Sequence, residues 1–155
     1  RSRLLKRSLY RIYQLYNRVR RPRLTVGVRA LVVDGDGQVC LVCHTYRDGW
    51  FLPGGGVKVG ESLVGAMSRE LAEETGIELP EVPQRVLGVY SSFREHKSDH
   101  IVVFVLLDWT LGVSRSAEIA EVGFFSPGEL PAGTSAATTR RIKEYMTGVP
   151  PGHRW

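Results

Sequence analysis

Glu70, Glu73 and Glu74 stand at i, i+3 and i+4 in "RELAEETGI", so a helix carrying them projects three carboxylates from one face. Arg69 is the only basic side chain in that turn, and the glycine run of residues 54–56 lies just upstream. Like-charge neighbours cost only ~0.2–0.5 kcal/mol each on an exposed helix, so a solvated acidic face accounts for the charges taken alone. The glycines add a second reading. Hard divalent cations such as Mg²⁺ take carboxylate and carbonyl oxygens. Glycine backbone, without a Cβ, approaches a metal or a phosphate oxygen closely. A metal held there would screen the carboxylates from an anionic substrate and make a bound water more acidic.

Such carboxylates need a helix with one buried side. Val64, Met67 and Leu71 form an apolar stripe at i, i+3 and i+7, with the glutamates about a quarter turn away. Gly60-Glu61-Ser62 opens this helix, and Gly76 is a C-cap. Upstream, "TVGVRALVVD" and "QVCLVCHTY" read as strands joined through "GDG" as a hairpin, and "WFLPGGG" as a short extended piece. Downstream, "QRVLGVYSSF", "HIVVFVLLDW" and "EIAEVGFFS" read as strands, with the polar loop "REHKSDH" between the first two. "SPGELP" reads as a helical turn, "SAATTRRIKEYM" as a final helix and "GVPPGHRW" as an irregular tail. Strands interleaved with two helices predict an α/β sandwich with a mixed sheet.

The segment Gly55 to Ile77 resembles the Nudix box, G-x5-E-x7-R-E-U-x-E-E-x-G-U with U bulky aliphatic. Gly55, Glu61, Arg69, Glu70, Leu71, Glu73, Glu74, Gly76 and Ile77 fill every defined position. The preceding "LPGG" is similar to the family's lead-in, and the flanking strands extend the likeness over residues 24–147. The resemblance implies a Nudix α/β/α sandwich. It also implies Mg²⁺- or Mn²⁺-dependent hydrolysis of a pyrophosphate bond in a nucleoside diphosphate linked to another moiety. Carried over by position, Glu73 and Glu74 would be the main metal ligands, and Glu70 a further ligand or the base that activates water. Arg69 would hold the acidic cluster by an ion pair. Glu61 would support the loop or the metal shell, and the carbonyl of Gly54 or Gly55 would complete the coordination. The alternative is a nucleotide- or RNA-binding regulatory module on the same scaffold without turnover, since fold does not guarantee activity.

Outside the box, Glu118 and Glu121 are candidates for the extra downstream acid that Nudix enzymes often use, against a solvated strand end. Arg94, Glu95, His96, Lys97, Asp99 and His100 crowd a loop that either overhangs the cleft or is a polar hairpin tip. Arg47 suits a phosphate through its fork of donors, while Trp50 either stacks on a base or covers the core. Tyr46 and Arg29 are weaker candidates of the same kind. The extended upstream motif of coenzyme A diphosphatases is missing. Pro80 and Pro83 fall too early for the ADP-ribose pattern, and Tyr90 falls short of the dinucleoside polyphosphate one. Nucleoside triphosphates, nucleotide sugars and capped or triphosphorylated RNA ends all remain open as substrates.

The totals fit one domain of 155 residues with no apolar run long enough to span a membrane and no signal peptide, hence a cytoplasmic protein. The net charge of +5 is uneven: residues 1–23 hold nine Arg or Lys and no acid, the remainder 12 basic and 16 acidic side chains. Leu5, Leu9, Ile12, Tyr16 and Val19 make residues 1–23 a basic amphipathic helix ahead of a domain at 24–147 and a tail at 148–155. That helix would pack on the domain or within a homodimer, lie on an anionic membrane, or contact RNA. Cys40 and Cys43 form C-x-x-C, but strand residues three apart point to opposite faces and no second pair completes a zinc set. Both read as buried strand cysteines in a reducing compartment.

Overall fold

The computed structural model describes Ser8, Arg11, Ile12, Leu15 and residues 23–80, 84–113 and 116–155. Ser8, Arg11, Ile12 and Leu15 are helical, with Ile12 and Leu15 exposed. The rest of the amphipathic-arm expectation lies outside the described residues. Arg23, assigned to the arm from sequence, already belongs to the first strand.

Among the described residues nine strands follow in chain order: β1 (Arg23–Val32), β2 (Val39–His44), β3 (Trp50–Phe51), β4 (Gly54–Gly56), β5 (Ile77–Glu78), β6 (Arg85–Ser92), β7 (Lys97–Leu106), β8 (Thr110–Leu111) and β9 (Ile119–Phe125). Helix α1 (Leu63–Thr75) lies between β4 and β5, and α2 (Ala136–Thr147) follows β9. The main sheet has the order β4-β1-β7-β6 and is mixed: β1 and β7 run parallel, the other pairs antiparallel. A second, antiparallel sheet has the order β3-β2-β9, and β5 pairs with β8.

Strand alternation divides the core into two layers. Val28, Ala30 and Val32 of β1, with Val102, Phe104 and Leu106 of β7, pack against Ala66, Met67 and Leu71 of α1. Leu31, Ile101 and Val103 face the other way, toward Ile142 of α2. This is the expected α/β/α sandwich.

Several details differ from the sequence reading. β1 and β2 do not form a hairpin ladder. Apart from one bridge between Val33 and Val39 they part into different sheets, because β7 and β4 already occupy both edges of β1. Val64 is exposed, while Ala66 and Glu74 join the buried side of α1. The "REHKSDH" loop is shorter than expected. Lys97, Asp99 and His100 are strand residues, and only a tight turn with positive φ at Glu95 (56°) and His96 (58°) remains. The "SPGELP" stretch forms turns without helix.

The tail is irregular in conformation but docked. Ser91 N–H donates to the His153 carbonyl at 2.8 Å, and Trp155 N–H donates to the Ser91 carbonyl at 3.1 Å. Arg141, 2% exposed, anchors it from α2. Its guanidinium pairs with Glu144 at 2.9 Å, donates to the Arg154 carbonyl at 3.1 Å and lies 3.9 Å from the Tyr90 ring centroid.

Candidate active site

Helix α1 begins where Ser62 caps it, its hydroxyl accepting from Gly65 N–H at 3.0 Å, and ends at Gly76 in the left-handed conformation (φ 75°). Between these caps the helix presents Arg69, Glu70 and Glu74 to the glycine strand β4, while Glu73 is more exposed. Glu74 faces inward at 8% exposure, and its Oε2 accepts the Gly54 N–H at 2.8 Å. Burial pushes its carboxyl up to about 7; the Gly54 bond and Arg29 oppose this, while Glu70 and Glu118 add to it. Two further carboxylates therefore bear on Glu74 here.

Arg69 ties the others together. It donates to both oxygens of Glu61 at 2.7 and 3.0 Å, to Glu70 at 2.7 Å and to the Gly56 carbonyl at 3.1 Å, with Glu73 3.6 Å away. The Arg69 bonds, helped by the Lys58 amide, lower the Glu61 carboxyl to about 2. The same partners raise the Arg69 guanidinium above its ordinary range.

The glycines serve these side chains. Gly54 adopts φ 139°, and a Cβ there would run into the Val28 carbonyl of the neighbouring strand. A Cβ on Gly55 would stand 2.5 Å from the Glu70 carboxyl carbon. Gly54 thus makes room for the Val28 carbonyl and Gly55 for the Glu70 carboxylate.

Glu118 lies just before β9, its carbonyl held by the Thr45 amide at 2.8 Å, and its charge is felt at Glu74. The β2–β9 register shift beside His44 skips Ala120 and marks the strand start next to Glu118. Glu121 sits opposite Cys43 on β9 and is exposed. Both cysteines are free; Cys40 is buried, its thiol pushed up to about 12 by burial, whereas Cys43 is only partly buried, near the end of β2 where the strand leaves the core.

A cavity of about 290 Å³ opens on the α2 side of the sheet, lined by residues of β1, β2, the β6–β7 turn, the N-terminus of α2 and Trp155. Arg29 reaches it from β1. Burial pulls this guanidinium below its ordinary range, while Glu74, Asp99 and Glu70 pull it back. Arg47 lines the cavity with its guanidinium 4.0 Å from the Phe51 ring centroid. Arg94, Glu95, Lys97 and Asp99 line it as well, and Asp99 accepts the Thr25 hydroxyl at 2.8 Å. His100 instead turns to Ser91, with Nδ1 2.9 Å from its hydroxyl. Trp50 packs edge-on against Phe125 at 4.9 Å and covers the core, the second of its two sequence readings.

Sequence reasoning missed His44, Arg140 and Trp155, all of which line the cavity. The His44 Nδ1 is buried without a hydrogen-bond partner, and burial, with Arg29 and Arg47, lowers the ring to about 4. A strand-end histidine carries no spacing signal that would have revealed this, and the docked tail carries none for Trp155.

Among the described residues no three His, Cys, Asp or Glu side chains form a ready-made metal cage. The donor chemistry nevertheless suits a hard cation. Glu70 and Glu74 offer oxygens only, Glu118 bears on the same point, and the Gly55 backbone lies against Glu70.

The chain belongs to the Nudix family, residues 23–146 matching the NUDIX domain. It is 34% identical over 126 residues to an ADP-ribose pyrophosphatase of Methanocaldococcus jannaschii, covering 76% of this chain and 73% of that protein. A putative 8-oxo-dGTP diphosphatase of Bacillus subtilis is 30% identical over 81% of this chain and 82% of its own. The crystal structure of a MutT NUDIX hydrolase from Burkholderia pseudomallei superposes with a TM-score of 0.68 at 25% identity, covering 78% of this chain and 97% of that one. The enzyme class is that of a Nudix pyrophosphohydrolase. Among the described residues no helix is long and apolar enough to cross a membrane.

Proposed function

We propose that this chain hydrolyses a pyrophosphate bond in a nucleoside diphosphate linked to another group, using a divalent metal held by helix α1. The observation that carries this reading is Glu74, buried against the Gly54 amide and within the field of Glu70 and Glu118. Glu73, Glu74 and Glu118, with the Gly55 carbonyl, would hold Mg²⁺ or Mn²⁺. When bound, the metal supplies charge neutralisation at phosphorus and a more acidic water.

The remaining roles belong to the chain's own groups. Glu70 accepts the proton released as water attacks phosphorus, and its bond to Arg69 fixes its direction. Arg69 and Glu61 hold the loop and helix in register. Arg47 neutralises charge on the leaving phosphate as the bridging P–O bond breaks. Gly54 and Gly55 keep the loop close enough to α1 for this arrangement.

Two further elements belong to the same reading. The basic segment of residues 1–23 serves as a tether to an anionic membrane or RNA, or as a dimer contact. The free cysteines suit a cytoplasmic setting.

The test is product release from ADP-ribose, 8-oxo-dGTP, UDP-glucose and a 5′-triphosphorylated RNA with Mg²⁺ and with Mn²⁺, wild type beside Glu74→Gln. Turnover that disappears in the variant supports the reading. Turnover unaffected by the substitution removes Glu74 from the chemistry. A wild type inert on every substrate favours a binding module.

A further inference from the structure

The cavity beside α2 is more cationic than cleavage of a diphosphate requires. Arg29, Arg47, Arg94, Lys97 and Arg140 line it against only Glu95 and Asp99. Arg29 answers the field of Glu74, Asp99 and Glu70. Arg94 and Arg140 are different: both are exposed, and neither forms an ion pair with a carboxylate among the described residues. They share the cavity with the first turn of α2, a helix of 12 residues capped by Ser135. A helix start carries partial positive charge and adds to theirs. Trp155, held by its backbone bond to Ser91 and by Tyr90 at 5.9 Å, contributes an aromatic wall. Guanidinium forks, a helix start and one aromatic side chain suit a phosphorylated sugar better than a neutral one.

We infer that the substrate carries a further phosphate beyond its diphosphate linkage, on the linked group or on the nucleoside, and that Arg94 and Arg140 bind it. This rests on the hydrolase reading for its biological sense, but the pocket is testable without turnover. A neutral distal group, as in a plain nucleotide sugar, would leave the two arginines unused. A phosphate beyond the scissile linkage arises either on a small phosphorylated sugar or as the next phosphodiester of an RNA chain.

Two measurements decide the matter. The first is an amide NMR titration of the metal-free protein with ribose 5-phosphate and with ribose. We expect ribose 5-phosphate to shift the Ala136 and Ala137 amides and ribose not to. Arg94→Ala and Arg140→Ala should each weaken that binding about tenfold, and added salt should weaken it further. Equal response to both sugars, or binding indifferent to both substitutions, overturns the inference. The second is hydrolysis of ADP-ribose, ADP-ribose 1″-phosphate and a 5′-triphosphorylated dinucleotide. We expect kcat/KM to favour a phosphorylated member, and the preference to shrink in the arginine variants through KM. The preferred member separates the small-molecule source from the RNA source. Hydrolysis of all three without preference overturns the inference and leaves the hydrolase reading standing. Ribose 5-phosphate binding without hydrolysis of any member overturns the hydrolase reading and keeps the pocket.

Discussion

Gly55 lies against the carboxylate of Glu70 so closely that a Cβ on the glycine would stand 2.5 Å from the carboxyl carbon. Strand β4 and helix α1 therefore meet at a point where only hydrogen fits. Gly55→Ala should push Glu70 off its bond to Arg69 while the fold survives. Overpacking of this kind typically costs about 1–3 kcal/mol. The expected outcome is a modest loss in urea stability with a much larger fall in kcat. A variant with wild-type kcat would show that the position of Glu70 does not matter to the chemistry.

Arg69 joins Glu61, Glu70 and the Gly56 carbonyl through three separate nitrogens. Lysine has one nitrogen and cannot reproduce this fork. Arg69→Lys should lower kcat and weaken Mn²⁺ binding, because Glu70 and the loop lose a common anchor. Mn²⁺ titration by electron paramagnetic resonance measures the second effect directly. Unchanged metal affinity together with unchanged kcat would reduce Arg69 to a surface charge.

His44 carries a buried Nδ1 without a partner, and its ring is lowered to about 4 by burial and by Arg29 and Arg47. The unfolded chain binds the proton near the ordinary value of 6.5. Between these values the unfolded state holds more protons, so stability should fall as pH drops from 6.5 toward 4. Above 6.5 the contribution is fully present. Urea unfolding at a series of pH values should show this slope, and His44→Phe should flatten it. An identical slope in the variant would assign the acid sensitivity to other groups.

Tyr90 is fully buried and donates its hydroxyl to Glu144 Oε2 at 2.7 Å. Against the upward pull of burial, bonds from Arg141 and Tyr90 lower the Glu144 carboxyl. Tyr90→Phe removes a hydrogen bond to a charged group and should cost about 2 kcal/mol. Because Trp155 rests on the same ring, its fluorescence should change and the tail should become more sensitive to protease. A variant as stable as wild type, with the tail still protected, would place the anchor in Arg141 alone.

The acidic helix was legible because its information is local. Gly55, Glu61, Arg69, Glu70, Glu73 and Glu74 occur within one short stretch, and both helix caps can be read from single residues. The strands were legible by their apolar runs, though their partners were not. Nothing in "TVGVRALVVD" says that β1 pairs with β7, more than seventy positions away, before it considers its neighbour β2.

The sequence by itself determined the sandwich class, the carboxylate face and the caps that fix its ends, since short-range periodicity and turn chemistry set all three. Only the tertiary structure decided that Glu74 turns inward to Gly54, that Arg69 spans loop and helix, and that the docked tail brings Trp155 into the cavity wall. Those outcomes depend on which sheet faces and chain segments meet. Such meetings are set by packing between residues distant along the chain, for which a single sequence carries no spacing signal.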